Sequence, residues 1–131
     1  MVPALAIADA LRGEQPVTVF PEGTTGPGTH LLPFRSTLIE AAAFAERDVE
    51  IRPVAVDYGD AAVEVAWHHE PTKRNVVRIL RRTGSLPVSV RLLDPLPREL
   101  DRKQLAARAR AQIAAALGLQ VDAHLPYSPG E

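Results

Sequence analysis

The chain has 131 residues, of which 46% are hydrophobic and 24% are charged, and its formal net charge is −1. This length fits one globular domain, and the composition excludes a disordered or fibrous chain. The near-zero charge argues against a nucleic-acid partner, and the absence of cysteine excludes disulfides, thiolate metal sites and cysteine nucleophiles.

The first third of the chain leads from a helix into a long loop. Residues 4–12 predict a short helix that ends at Gly13. Residues 17–20 are rich in β-branched and aromatic side chains and predict a buried strand. Residues 21–33 contain three glycines, three prolines and three threonines, which indicates a specialised loop.

The middle of the chain predicts one helix and two strands. Thr37 and Glu40 have the spacing of a capping box, so a helix is expected from Thr37 to about Arg47. Residues 49–56 predict a strand that Pro53 interrupts, which favours a sheet edge or a bulge there. Residues 62–67 predict a further strand.

The last third predicts two helices around a strand. Residues 71–83 favour a helix that Gly84 ends, and residues 87–93 alternate as a strand does. The final helix is expected to begin after Asp101, with Gln104 at the capping-box position, and to end at Gly118.

This alternation of helices and strands predicts an α/β fold with a mixed sheet flanked by helices. Because the chain starts with a helix that feeds directly into a strand and its loop, we expect residues 1–118 to be the later part of a larger domain. Residues 119–131 contain two prolines and are expected to form a flexible tail.

The glycine-rich loop after the first predicted strand can be interpreted in two ways. Backbone N–H groups and hydroxyls can converge there on a phosphate, or the segment is an irregular connection. Glu22 repels a phosphate, so its carboxylate is expected to hold a substrate hydroxyl or to brace the loop through backbone N–H groups. The residues that could approach a ligand are Gly23, Gly26, Gly28, Thr24 and Thr25.

Two segments resemble the glycerolipid acyltransferases, the family that includes 1-acyl-glycerol-3-phosphate acyltransferase. Residues 19–26 read Val-Phe-Pro-Glu-Gly-Thr-Thr-Gly, residues 32–36 read Leu-Pro-Phe-Arg-Ser, and together they are similar to the family's third sequence block. Residues 51–56, Ile-Arg-Pro-Val-Ala-Val, resemble its fourth block, in the same order and at a similar gap. The resemblance extends over residues 4–117 and implies the later portion of that family's fold.

The resemblance implies transfer of a fatty acyl group from acyl-CoA or acyl carrier protein to a lysophosphatidate-like acceptor in phospholipid biosynthesis. It implies that Glu22 and Gly23 contact the lysophospholipid acceptor and that Thr24 supports it. Thr25 stands where many members have arginine, and Arg35 either supplies the missing positive charge or is a solvent-exposed residue at a helix start. No metal or organic cofactor is implied, because acyl-CoA is a substrate.

The family's catalytic His-x-x-x-x-Asp motif is absent from this sequence. Four histidines are present, and the residues five positions after them are Arg35, Lys73, Arg74 and Pro129. No aspartate among them can orient a histidine as general base. We therefore expect an N-terminally truncated copy of an acyltransferase or, alternatively, a non-catalytic remnant that binds lipid or phosphate.

The histidines themselves favour no metal site. His68 and His69 are adjacent on a predicted strand and would point to opposite faces, so they cannot easily share one ion. His30 lies in the loop without a carboxylate nearby in sequence and is interpreted as a loop residue.

A cluster of basic residues lies within the predicted helix 71–83. It can contact anionic lipid, meet the phosphates of CoA, or form an ordinary solvated surface. With no targeting segment and no apolar run of about 18 residues, we expect a cytoplasmic chain with peripheral contact at the inner face of the cell membrane. The cluster consists of Lys73, Arg74, Arg78, Arg81 and Arg82.

Overall fold

The structure is a computed structural model that describes residues 2–45, 48–67, 70–119 and 121. Its helices are α1 (Val2–Ala10), α2 (Ser36–Glu40), α3 (Ala62–Val65), α4 (Thr72–Leu80) and α5 (Arg102–Leu117), with 3₁₀ turns at Ala41–Phe44 and Gly59–Ala61. Its strands are β1 (Val54–Asp57) and β2 (Ser89–Leu92). The combination of helices with this sheet confirms the predicted α/β class.

The two strands pair antiparallel, from Val54 opposite Leu92 to Asp57 opposite Ser89. Beyond the strand ends, Leu93 N–H donates to the Pro53 carbonyl at 3.0 Å. The pairing then becomes irregular: Leu96 N–H donates to the Ile51 carbonyl at 2.8 Å, which accommodates one extra residue on the Leu93–Leu96 side. A sheet edge or a bulge was predicted at Pro53, which has no N–H to donate, and this irregular pairing lies directly beside it.

The sheet and two helices share a small core in which alanine is prominent. Helix α5 packs against β1 and α2, and its Ala106, Ala109 and Ala114 are buried. Ala55 of β1 is fully buried as well. Because alanine side chains are short, the backbones of α5 and β1 can approach closely, and this brings α5 near the loop that precedes α2.

Helix α5 begins and ends as its sequence predicts. The Asp101 carboxylate accepts the N–H groups of Lys103 and Gln104 at 2.8 and 2.9 Å, while the Gln104 side chain accepts the Asp101 N–H at 3.0 Å. At the other end Gly118 adopts the left-handed conformation, with φ of 68°. This capping box and glycine terminus confirm both predicted boundaries.

Two predicted strands do not form among the described residues. Residues 17–20 are not paired with any described strand, since the sheet of the described residues consists of β1 and β2. Residues 62–67 instead contain helix α3. The Asp57 carboxylate accepts the Gly59 N–H at 2.8 Å and turns the chain, so that a 3₁₀ turn leads directly into α3.

The helix predicted from Thr37 starts one residue earlier and is shorter than expected. Arg35 occupies the N-terminal cap position of α2, and no side chain there accepts a helix N–H. The predicted Thr37–Glu40 capping box is therefore wrong. The helix tightens into the 3₁₀ turn Ala41–Phe44, and residues 46 and 47 lie outside the described part.

Helix α4 confirms the predicted helix in residues 71–83, with Pro71 at its N-terminal cap. Within the ranges that the structure describes, no helix combines the length and apolar character needed to cross a bilayer. The predicted tail, residues 119–131, lies outside the described part apart from Leu119 and Val121.

We expect Asp101→Ala to lower the free energy of unfolding by about 1 kcal/mol, because the capped N–H groups of α5 lose their acceptor. Urea unfolding followed by circular dichroism measures this change. Arg108→Ala, at an exposed position of the same helix, is the control and should change stability by less than about 0.5 kcal/mol. Equal losses in the two variants would contradict the role of the cap.

Candidate acceptor-binding site

The two ends of the loop at residues 21–35 are joined by backbone hydrogen bonds. A turn at its start is closed by the Gly23 N–H, which donates to the Phe20 carbonyl at 3.0 Å. At its end, the Arg35 N–H donates to the Pro21 carbonyl at 2.7 Å. The segment is therefore a closed loop of the omega type, which brings residues more than ten positions apart in sequence into one site.

Glu22 lies inside this loop and braces it. Its Oε2 accepts the Leu32 N–H at 2.8 Å, so one of the two roles considered for the carboxylate is formed. Burial raises the pKa of Glu22, and this effect exceeds the opposing effects of the Leu32 N–H and of the charges on Arg110 and His30. The loop thus holds a half-buried carboxylate next to basic groups.

Arg110 of α5 fastens the far side of the loop. Its Nε donates to the Leu32 carbonyl at 3.1 Å, and a terminal guanidinium nitrogen donates to the Leu31 carbonyl at 2.7 Å. The sequence interpretation missed this residue. The sequence signal for Arg110 is its position directly after Ala109, which is buried. An arginine beside a buried helix face needs hydrogen-bond acceptors for its guanidinium group.

Gly23 and Arg35 touch each other across the closure of the loop. Gly23 has φ of 70°, and a Cβ atom added to it would lie 2.8 Å from the Arg35 Nε. The guanidinium group therefore lies across the Gly23 backbone. Thr24 and Thr25 are exposed at the same turn, so their hydroxyls are accessible to solvent.

The other side of the loop rests on helix α3. Gly28 has φ of 80°, and an added Cβ would lie 2.6 Å from the Ala62 carbonyl oxygen, so only glycine permits this approach. His30, whose Nδ1 lies 3.1 Å from the Thr29 hydroxyl, is half-buried in the loop. An open cleft of about 490 Å³ lies between Pro27 and the α3–α4 segment.

Arg78 ties α4 to the segment that supports the loop. Its guanidinium donates to the Glu64 carbonyl, to the Ala66 carbonyl at 2.7 Å and to the Glu70 carboxylate at 2.5 Å. The hydrogen bonds from Arg78 and then Asn75 lower the pKa of Glu70. Arg82 also forms an ion pair, with Glu64. Two of the five basic residues predicted to contact lipid or CoA therefore bind partners within the protein.

The structure groups only part of the predicted site closely. Gly23 and Arg35 meet at the loop closure, the Glu22 carboxylate lies inside the loop against the Leu32 N–H, and the two threonines are accessible beside the turn. Among the described residues, no three histidine or acidic side chains are placed to hold a metal ion. His68, His69 and His124 lie outside the described residues.

Comparison with known proteins places these observations in a family. The chain is 33% identical over 85% of its length to a lyso-ornithine lipid O-acyltransferase of Pseudomonas aeruginosa, covering 44% of that protein. It is equally identical, over 85% of its length, to one of Brucella abortus, of which it covers 49%. The resemblance to the glycerolipid acyltransferases is confirmed. Both of these relatives are acyltransferases by name.

The chain spans about half the length of the curated relatives it matches. No protein-family model matches it, and no solved structure matches it either. The resemblance therefore rests on the two acyltransferase relatives.

We expect Gly23→Ala to destabilise the chain more than Gly59→Ala does. Both glycines have positive φ, which costs an alanine about 1–2 kcal/mol, but a Cβ at Gly59 would have no atom within 4 Å. Gly23→Ala is expected to lower the free energy of unfolding by about 1 kcal/mol more than Gly59→Ala does, because Arg35 must move. This difference is the excess at Gly23. Thermal or urea unfolding measures both variants.

The excess should disappear when Gly23→Ala is combined with Arg35→Ala, because the combination removes the contact. A double-mutant cycle tests this directly. An unchanged excess in the double variant would show that Arg35 does not lie across the glycine.

We expect Glu22→Gln to keep the loop intact, because its side-chain oxygen can still accept the Leu32 N–H. Burial raises the Glu22 pKa above 4.5, so the folded state favours the protonated carboxyl. This contribution to stability is present below pH 4.5 and is lost as the pH rises through the folded-state pKa.

The wild type should therefore gain stability relative to Glu22→Gln as the pH falls from about 7 to about 4. Urea unfolding at several pH values measures the difference between the two proteins. The burial of a charged Glu22 would be contradicted if the stability difference between the two proteins stayed constant across this range, or if the wild type lost stability relative to the variant as the pH fell.

Proposed function

We propose that this chain supplies the acceptor-binding part of an enzyme that transfers a fatty acyl group to the hydroxyl of a lyso-lipid. The donor is acyl-CoA or acyl carrier protein. The observation that carries the proposal is the closed loop, in which Arg35 lies against Gly23 and the Glu22 carboxylate accepts the Leu32 N–H, in a chain similar to two lipid acyltransferases.

In this proposal the exposed end of the loop binds the acceptor headgroup. The Arg35 guanidinium, which lies across the Gly23 backbone, offers charge-assisted hydrogen bonds to an anionic group. Thr24 and Thr25 add hydroxyl donors and acceptors. The Glu22 carboxylate beneath them accepts a hydrogen bond from an acceptor hydroxyl in addition to the Leu32 N–H, since it has two oxygens.

We propose lyso-ornithine lipid as the acceptor to test first, because both relatives are named for it. Thr25 supports this choice, since it stands where many members of the family that the sequence resembles have arginine, and it lacks the charge that would bind a phosphate. A lysophosphatidate-like acceptor remains the second candidate, and Arg35 is the residue in the loop that would then bind its phosphate.

Acyl transfer requires an acceptor hydroxyl to attack the thioester, with the proton going to a base and the thiol leaving. We propose that this base is not among the residues of this chain, because no histidine is followed by aspartate at the fifth position. Residues 1–118 then correspond to the later portion of the acyltransferase domain.

The same absence of a His-x-x-x-x-Asp motif favours a second candidate, a remnant that binds lipid without turnover. The intact mass of the native product, together with the coding sequence upstream of Met1, separates the two. A longer polypeptide that contains the motif supports the enzyme, whereas a native product that starts at Met1 supports the remnant.

We also propose that the chain meets the inner face of the cell membrane from the cytoplasm. A lyso-lipid acceptor is a membrane component, so a chain that binds one needs to approach a bilayer. The basic cluster of α4 supports this contact.

We expect Arg35→Gln and Glu22→Gln each to weaken lyso-lipid binding by about tenfold, because each removes one charged hydrogen-bonding partner of the headgroup. Titration calorimetry with lyso-ornithine lipid and with lysophosphatidate measures both affinities. Lys103→Gln, at an exposed position on α5, is the control with an equal change of charge to Arg35→Gln and should bind as the wild type does.

Unchanged affinity in both loop variants would overturn the acceptor-site proposal and leave Glu22 as a structural brace. Turnover by the unaltered chain with acyl-CoA or acyl carrier protein, followed by mass spectrometry of the lipid, would contradict the proposal that the base lies elsewhere.

A further inference from the structure

Helix α4 turns its polar side chains toward the protein. Asn75 is buried and donates to the Glu70 carboxylate at 3.0 Å. Arg78 is half-buried against Glu70 and two backbone carbonyls, and Arg82, just beyond the helix, pairs with Glu64. The inner side of this segment is therefore neutralised by two carboxylates.

The outer side of α4 is apolar, which reverses the usual arrangement of a surface helix. Val76 and Val77 are 45% and 46% exposed, and Leu80 is 78% exposed. At a rotation of about 100° per residue these three positions fall within one arc of the helix. The helix thus presents an apolar ridge to its surroundings.

Three exposed cations accompany the apolar ridge. All three are exposed, and in the helical projection Lys73 falls within the arc of the ridge, whereas Arg81 and Arg74 lie at its edge, about 90° and 110° from its centre. No acidic residue occurs from Pro71 to Leu93. The ridge and its edge therefore carry positive charge, although Arg74 also helps to lower the pKa of Glu70, whereas the inner cations Arg78 and Arg82 are paired with carboxylates.

We propose that this outer face, formed by the ridge and its three cations, docks the chain onto an anionic lipid surface. Val76, Val77 and Leu80 enter the interface between headgroups and acyl chains, and Lys73, Arg74 and Arg81 meet lipid phosphates. An apolar helix face bordered by basic residues is the composition that binds such interfaces. The inference rests on the membrane contact in the proposed function and assigns it to specific residues.

The charge contribution is tested by co-sedimentation of the full chain with vesicles of neutral phosphatidylcholine, with or without about 30% phosphatidylglycerol. The wild type is expected to bind the anionic vesicles more tightly. Lys73→Glu combined with Arg81→Glu should weaken this binding by about 25-fold or more, since each basic residue near the surface contributes about fivefold in affinity.

The matched control is Lys103→Glu combined with Arg108→Glu, which makes the same two residue changes at exposed positions of α5. This control should bind within about twofold of the wild type. Equal weakening in both double variants would show a response to net charge alone and would overturn the proposal, as would wild-type binding that ignores the anionic lipid.

The apolar contribution is tested with Leu80→Ser, which keeps every charge. It should weaken binding by about tenfold at a salt concentration that screens the cations, because a leucine no longer enters the interface. Circular dichroism checks that α4 is retained. Unchanged binding of this variant would overturn insertion of the ridge.

A second copy of the chain is the competing occupant of this face. Sedimentation velocity distinguishes the two, since the proposal expects a monomer in the absence of vesicles. A wild-type dimer that Leu80→Ser converts to a monomer would overturn lipid docking. The vesicles contain neither lyso-lipid nor acyl donor, so this result is independent of the acceptor-binding experiment and the two proposals can fail separately.

Discussion

The closure of the loop at residues 21–35 is the constraint on which the candidate site depends. The Arg35 N–H donates to the Pro21 carbonyl and joins the two ends, the Gly23 N–H closes the turn at the start, and the Glu22 carboxylate bridges to the Leu32 N–H. These are few bonds for a loop of this length, so Arg110 adds two more from outside it. Without the closure, Gly23 and Arg35 would be separated by twelve positions of irregular chain and would present no common surface.

The closure has an electrostatic cost that its surroundings partly offset. Burying the Glu22 carboxylate disfavours its charged form, while the Leu32 N–H and the charge on Arg110 favour it. Arg110 reaches the loop because the alanine-rich face of α5 lies close to β1 and α2, and larger side chains there would hold the helix away. The small core residues let α5 approach, and the long side chain of Arg110 then reaches the loop, so that together they hold the site in place.

The α4 segment shows how the same residue type takes two roles within one helix turn. Arg78 satisfies backbone carbonyls and a carboxylate, and so connects α4 to the α3 segment on which Gly28 of the loop rests. Arg74 and Arg81 instead remain exposed beside an apolar ridge. Support of the loop is therefore a property of the inner side of α4, and the lipid contact that we propose is assigned to its outer side.

The sequence by itself determined the features whose signals are local: the caps of α5 at Asp101 and Gly118, the special character of the loop, and the family resemblance. The tertiary structure decided what depends on partners distant in sequence. The segments 17–20 and 62–67 have β-rich patterns, but the described residues provide no strand beside the first, and a turn at Asp57 and Gly59 directs the second into a helix. Likewise, a row of arginines does not reveal which of them will meet carboxylates, because that choice depends on how separate segments pack.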